Sequence, residues 1–142
     1  MDLTIRDAVG ADADAIATLL DQLGYPTHAE AVDARLERLR IVGDRVVVAD
    51  VDGRPVGLAH LQVTPAIERD RPAAKIGALV VDEAHRGSGV GRALVEAMEE
   101  EARARGCELL FLTTAARRTD AHAFYARVGL EETGKRFAKE LR

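Results

Sequence analysis

Three glycines at alternate positions, Gly87, Gly89 and Gly91, stand between two arginines in Arg86-Gly87-Ser88-Gly89-Val90-Gly91-Arg92. Without a Cβ, glycine lets a phosphate come close to the main chain. The segment also sits at a junction. Before it runs the apolar stretch Ile76 to Val81, closed by Asp82-Glu83; after it, Gly89 to Arg105 repeats Val90, Leu94, Val95, Met98 and Ala102 at helical spacing. The first turn of a helix offers N–H groups without partners and the positive end of the helix dipole, so such a junction is built to hold an anion. Arg86 and Arg92 add mobile positive charge at the same place.

Register excludes the commoner phosphate loops. A dinucleotide fingerprint starting at Gly87 needs glycine at position 92, where Arg92 stands, and no P-loop string occurs in the chain. A nucleophile elbow around Ser88, the only serine, needs glycines where Arg86 and Val90 stand. What remains is Arg-x-x-Gly-x-Gly, read at Arg86, Gly89 and Gly91. The plain alternative is a strand-to-helix turn that uses glycine for left-handed conformations. In its setting the string resembles the pyrophosphate loop of the GNAT superfamily of N-acetyltransferases.

A second segment carries the same resemblance. Ala121-His122-Ala123-Phe124-Tyr125-Ala126-Arg127-Val128-Gly129-Leu130 matches the pattern A-x-x-F-Y-x-x-x-G-[FL] that follows the fifth strand in many of these enzymes. The resemblance covers most of the chain and is strongest from Lys75 to Leu130. It implies an α+β fold, a three-layer α/β/α sandwich around a mixed, mostly antiparallel twisted sheet. In that fold the fourth and fifth strands, here Lys75 to Val81 and Glu108 to Thr113, splay apart to seat the pantetheine arm of acetyl-CoA.

By resemblance, acetyl-CoA is the cosubstrate and an amine the acceptor. The pyrophosphate is expected on the backbone of Gly87, Ser88, Gly89, Val90 and Gly91, with Arg86 and Arg92 as side-chain contacts. Backbone groups around Leu79, Val80 and Val81 would hold the thioester oxygen. Tyr125 resembles the tyrosine that protonates the coenzyme A thiolate, which a phenol with a reference pKa near 10 can do at neutral pH. Taken alone, Tyr125 reads as a core aromatic beside Phe124. Two positions depart from the family pattern: Arg118 stands where asparagine is common, and Lys75 to Val81 has no carboxylate to act as base. Attack by an amine needs that base. His60, on a strand beside the splay, is one candidate, although a strand histidine is more often a structural hydrogen-bonder. Glu68 and Asp70, in the loop entering the fourth strand, are the others.

The elements that must position these groups follow from periodicity and turn residues. Leu3 to Ala8 reads as a strand, Ala11 to Leu23 as a helix stopped at Gly24-Tyr25-Pro26, and Thr27 with Glu30 as the capping box of a second helix. Arg45 to Val51 and Pro55 to Val63, joined at Asp52-Gly53, form the clearest hairpin. Cys107 to Thr113 reads as a strand. Thr119 or Asp120 caps a short helix ending at Gly129. Glu131 to Leu141 reads as one or two strands, its edge guarded by Lys135, Arg136, Lys139 and Arg142.

At 142 residues, with 47% hydrophobic and 31% charged residues and no linker or repeat, the chain is sized for one domain spanning residues 1–142. No apolar run reaches the ~20 residues of a membrane span, and Met1 to Arg6 lacks the features of a signal peptide, so a cytoplasmic location is expected. The single Cys107 excludes an intrachain disulfide. A net charge of −4 argues against a nucleic-acid partner. The four histidines form no ligand cluster, so no metal is expected. A homodimer is compatible with the sequence. The activity expected is acetyl transfer from acetyl-CoA to a primary amine of a small molecule or peptide, by direct attack in a ternary complex. The rival is a non-catalytic acyl-CoA-binding or regulatory domain.

Overall fold

Asp52 and Gly53 both adopt positive φ, 52° and 87°, the conformation whose twist matches that of a two-residue hairpin. The Asp50 carboxylate accepts the Gly53 N–H at 2.7 Å and fixes the turn. The turn joins β2 (Arg45–Val51) to β3 (Arg54–Thr64), the centre of the sheet. The computed structural model describes residues 2–113 and 119–141. Around the hairpin, β1 (Leu3–Asp7) adds antiparallel to β2, β4 (Ala73–Val81) antiparallel to β3, and β5 (Leu109–Leu112) parallel to β4. The order is β1-β2-β3-β4-β5, a mixed five-stranded sheet.

Alternation along β3 gives the sheet two apolar faces. Ala59 and Leu61 join Val47, Ala49 and Ile76 under α3 (Val90–Ala104), whose Val90, Leu94 and Met98 are 0–1% exposed. Leu58 joins Val48 and Val80 on the opposite face, covered by α1 (Ala13–Leu23) and α2 (Val32–Ile41). The fold is thus the expected α/β/α sandwich. α3 comes close to the sheet because β3 has glycine at 57, where a Cβ would lie 2.9 Å from Leu94 Cδ1 and 3.1 Å from Val90 Cγ1. Among the described residues no helix is long and apolar enough to cross a membrane.

Three expectations fail. Residues 131–141 form no strand. Their apolar residues, Phe137, Ala138 and Leu141, do not alternate, and Phe137 and Leu141 are 92% and 87% exposed, so no buried face exists to hold them in register. Lys135, Arg136 and Lys139 therefore guard no edge. Thr27 is not a cap: its hydroxyl donates to Tyr25 O at 2.7 Å, and α2 starts only after a 3-10 turn at Ala29–Ala31. Likewise α1 starts at Ala13, behind a 3-10 turn at Gly10–Asp12.

That last turn exists because Asp12 is used elsewhere. Only 6% exposed, it takes both ends of the Arg6 guanidinium at 2.9 Å and the Val9 N–H at 2.9 Å, while Arg6 Nε donates to Asp50 at 2.9 Å. Hydrogen bonding from Arg6 holds the Asp12 carboxyl below the usual carboxylate range. Its contribution is therefore complete at neutral pH and is lost as pH falls through that depressed value. Asp12→Ala leaves Arg6 with Asp50 and the Asp7 carbonyl as partners, and is expected to cost about 2 kcal/mol by chemical denaturation, within the range for hydrogen bonds to a charged group. The deficit shrinks in acid, where the parent's own Asp12 protonates.

Candidate active site

The glycine segment occupies the turn from β4 into α3. After Val81, Asp82 accepts the His85 N–H at 2.8 Å in a single 3-10 turn at Glu83–His85, and its side chain accepts from Gln22 Nε2 of α1 at 2.8 Å. Gln22 in turn accepts the Glu83 N–H at 3.0 Å. The Gln22 and His85 hydrogen bonds keep the Asp82 carboxyl below its ordinary range. The loop's base is thus anchored to the helix layer on the far face of the sheet.

Beyond this anchor the backbone turns left-handed twice, at Gly87 (φ 81°) and at Gly89 (φ 91°), the residue before α3. At both, a Cβ would meet nothing within 4 Å, so these glycines are there for conformation and leave open space above the main chain. Ser88 donates its hydroxyl to His85 O. The first backbone donor paired within α3 is Ala93, bonded to Gly89 O at 3.1 Å, and among the described residues the amides from Gly87 to Arg92 have no backbone acceptor. Gly87, Ser88 and Gly89 are exposed, as is Arg86; Val90 contributes main chain only, its side chain being 1% exposed. Unpaired N–H groups, the helix dipole and nearby guanidinium groups make this an anion cradle. A phosphate group fits it.

Gly91 has another role. Its φ is not positive, and a Cβ there would lie 3.1 Å from Phe124 Cζ and 3.6 Å from Val81 Cγ2. The missing side chain lets α4 (Thr119–Arg127) dock on the first turn of α3. Arg92 Nη2 reaches Arg127 O at 3.5 Å, and the Arg127 guanidinium lies 6.0 Å from the Phe124 ring. Tyr125 is half-buried, its ring edge-on to Phe124 at 5.7 Å. Arg118 lies outside the described residues.

The cradle continues into a cleft in the sheet. β5 pairs with β4 only from Ala73↔Leu109 to Ile76↔Leu112, whereas β4 runs on to Val81 paired with β3. From Gly77 to Val81, β4 therefore has a sheet partner on one side only among the described residues. Arg86 Nε donates to Val81 O at 3.3 Å, so the cradle and the freed edge of β4 meet there. Leu79 and Val81 are half-buried and Val80 is buried against the α1/α2 side. Asp82 N–H donates to Val56 O of β3 at 2.8 Å, so by strand alternation the main-chain groups of Leu79 and Val81 are the ones turned to the unpaired edge.

A family model described as "Acetyltransferase (GNAT) family" matches residues 13–130. The chain belongs to the GNAT acetyltransferase family. It is 31% identical over 142 aligned residues to aminoalkylphosphonate N-acetyltransferase of Salmonella typhimurium, covering 96% of this chain and 90% of that protein. It is 33% identical over 135 residues to aminoglycoside N(6')-acetyltransferase type 1 of Stenotrophomonas maltophilia, covering 92% and 87%. Among solved structures, a Trypanosoma brucei acetyltransferase superposes with a TM-score of 0.85 at 26% identity, over 99% of this chain and 100% of that one. This GNAT chain is accordingly an N-acetyltransferase, and acetyl-CoA is its cosubstrate.

Of the base candidates, the structure separates His60 from Glu68. His60 is in β3, opposite Ala78 of β4, at 16% side-chain exposure, and its Nε2 lies 2.9 Å from the Asp44 carboxylate. Glu68 is exposed in the turn after β3, and among the described residues it makes no ion pair; Asp70 is exposed in the same loop. Asp44 was not singled out from sequence. Its place depends on strand register, which sets Val46 against His60 across the hairpin.

Proposed function

We propose that this GNAT enzyme transfers the acetyl group of acetyl-CoA to the primary amine of a small molecule or peptide, by direct attack within a ternary complex. The observation that carries the reading is continuity: the cradle of unpaired amides at Gly87 to Arg92 leads without a break, at Val81, into the stretch of β4 freed from β5. One end suits a pyrophosphate and the other a thioester. Acetyl-CoA supplies the activated acyl carbon.

In this reading the backbone of Gly87, Ser88, Gly89, Val90 and Gly91 binds the pyrophosphate, with Arg86 and Arg92 beside it. Main-chain donors from Leu79 to Val81 hold the carbonyl oxygen as charge develops on it, where a fixed donor contributes most. Tyr125 gives a proton to the departing thiolate. His60 takes one from the amine, and Glu68 is the less favoured base because nothing positions it. Relatives named for acetylating aminoalkylphosphonates, aminoglycosides and glucosamine 6-phosphate support a small, polar amine as acceptor.

The test is thiol release from acetyl-CoA with 2-aminoethylphosphonate, an aminoglycoside, glucosamine 6-phosphate and an N-terminal peptide amine as acceptors. Turnover of at least one is expected. Coenzyme A binding without turnover of any amine would favour the acyl-CoA-binding domain, and failure to bind coenzyme A would remove the assignment of the cradle.

A further inference from the structure

We infer that Asp44 is the positioning residue of the reaction: it fixes His60 with Nδ1 as the proton-accepting atom, and Gly77 keeps the space in front of that atom clear for the acceptor amine. The inference rests on the acetyl-transfer reading and adds to it an atom, a partner and an approach.

A carboxylate only accepts hydrogen bonds, so the 2.9 Å contact from Asp44 puts the imidazole proton on Nε2 and leaves the lone pair on Nδ1. The pair is well held. Asp44 is 9% exposed and its N–H donates to Leu39 O of α2 at 2.9 Å, while the preceding carbonyl, Gly43 O, accepts from Arg105 at the end of α3 at 2.5 Å. A buried carboxylate that sets the tautomer and angle of a histidine base is a recurring catalytic arrangement.

Nδ1 faces Gly77. A Cβ there would lie 2.9 Å from Nδ1 and 3.4 Å from Gln62 Oε1. Glycine inside a strand is unfavourable by about 0.5–1 kcal/mol against alanine, and φ at Gly77 is not positive, so conformation alone does not call for it. Strand-interior glycine often marks a bulge or the close approach of a ligand. Gly77 shows the first directly: the β3/β4 register passes from His60↔Ala78 to Leu61↔Ile76, leaving Gly77 as the extra residue. It is also exposed, although its neighbour Ile76 is buried. The bulge falls where β4 loses β5, one residue after the last pair, Ile76↔Leu112. The lone pair, the Cβ-less backbone of Gly77 and the start of the unpaired β4 edge therefore adjoin at the bulge.

The acceptor ammonium gives one proton to Nδ1, which passes it to solvent, while Nε2–H stays on Asp44. The amine nitrogen bonds to the acyl carbon and the carbon–sulfur bond breaks. The nitrogen's second proton, lost as the adduct collapses, offsets the one that Tyr125 gives the thiolate. Around His60 the facing groups are Asp44 from the α2–β2 turn, Val46 of β2, Gln62 of β3, and Gly77 and Ala78 of β4; Lys75, in register with Gln62, is the next charge along β4.

The experiment uses whichever panel amine the wild-type enzyme acetylates fastest. Asp44→Asn and His60→Gln are expected to lower kcat/KM for that amine by about 10²-fold near neutral pH, with coenzyme A affinity unchanged by calorimetry. The deficit should narrow to several-fold as pH approaches the amine's own pKa, because free amine no longer needs a base; a purely structural defect would not recover this way. Gly77→Ala should raise the amine KM or lower kcat without changing coenzyme A affinity. Independently of turnover, the ¹⁵N spectrum of the wild-type His60 imidazole should show the Nε2–H tautomer. A pH-independent deficit, an unaffected Asp44→Asn, or the Nδ1–H tautomer would overturn the inference. Absence of any turnover by the wild type would instead overturn the acetyl-transfer reading.

Discussion

Gly89→Asp is expected to weaken coenzyme A binding by about 100-fold or more while leaving the protein folded. The position has φ 91° and open space around a Cβ, so a new side chain strikes nothing. Aspartate is among the residues that enter the left-handed region most readily, and it is favoured in front of a helix. A side chain at this φ carries some backbone strain, so the effect on stability is modest and the effect on binding is mainly electrostatic. A carboxylate placed about 5 Å from a phosphate charge is opposed by ~3 kcal/mol at an effective dielectric near 20. Titration calorimetry at low and high salt measures this directly, and screening should recover part of the loss. Pantetheine, which lacks the pyrophosphate, should bind parent and variant alike. Wild-type affinity for coenzyme A in Gly89→Asp would remove the cradle from the mechanism.

The second large effect is expected at Tyr125. Tyr125→Phe keeps the ring that meets Phe124 edge-on at 5.7 Å and deletes only the hydroxyl. If that hydroxyl protonates the leaving thiolate, kcat should fall by about 10²- to 10³-fold, the range for losing a positioned general acid. Coenzyme A affinity should stay within a factor of about two, because uniform binding is untouched. Steady-state kinetics beside calorimetry separates the two quantities. An unchanged kcat across the neutral range would return Tyr125 to a packing role.

The parts of the site legible in the sequence were those whose chemistry is contiguous. The spacing of Gly89 and Gly91 after Arg86, the helical stripe from Val90 to Ala102, and the Asp52-Gly53 turn each depend on local backbone rules, and each is present. The Asp44–His60–Gly77 grouping was hidden because two bulges control what His60 meets. From the Asp52-Gly53 turn, unbroken pairing would set His60 opposite Arg45; the shift between Ala49 and Asp50 sets it opposite Val46 instead. A second shift, at His60/Leu61, brings Gly77 under the imidazole. Neither bulge has a period that could be read along the chain. Asp12 was obscured differently: its spacing suits the start of a helix, but Arg6, six residues earlier on β1, takes its carboxylate. In the tail, Lys135, Arg136, Lys139 and Arg142 suggested a guarded edge, yet residues 131–141, without alternating apolar positions, form no strand.

Gly91 lies in the motif that names the loop, but what it makes room for is Phe124. Two segments separated along the chain are therefore one joint in space. If the loop grips the donor's charged end and Tyr125 serves its sulfur end, both hang from the same contact, and neither is free to drift alone. A side chain added at 91 would be answered by a smaller ring at 124 rather than by any change near the phosphates. The last glycine of the loop is thus where the first turn of α3 and the tyrosine-bearing helix are joined.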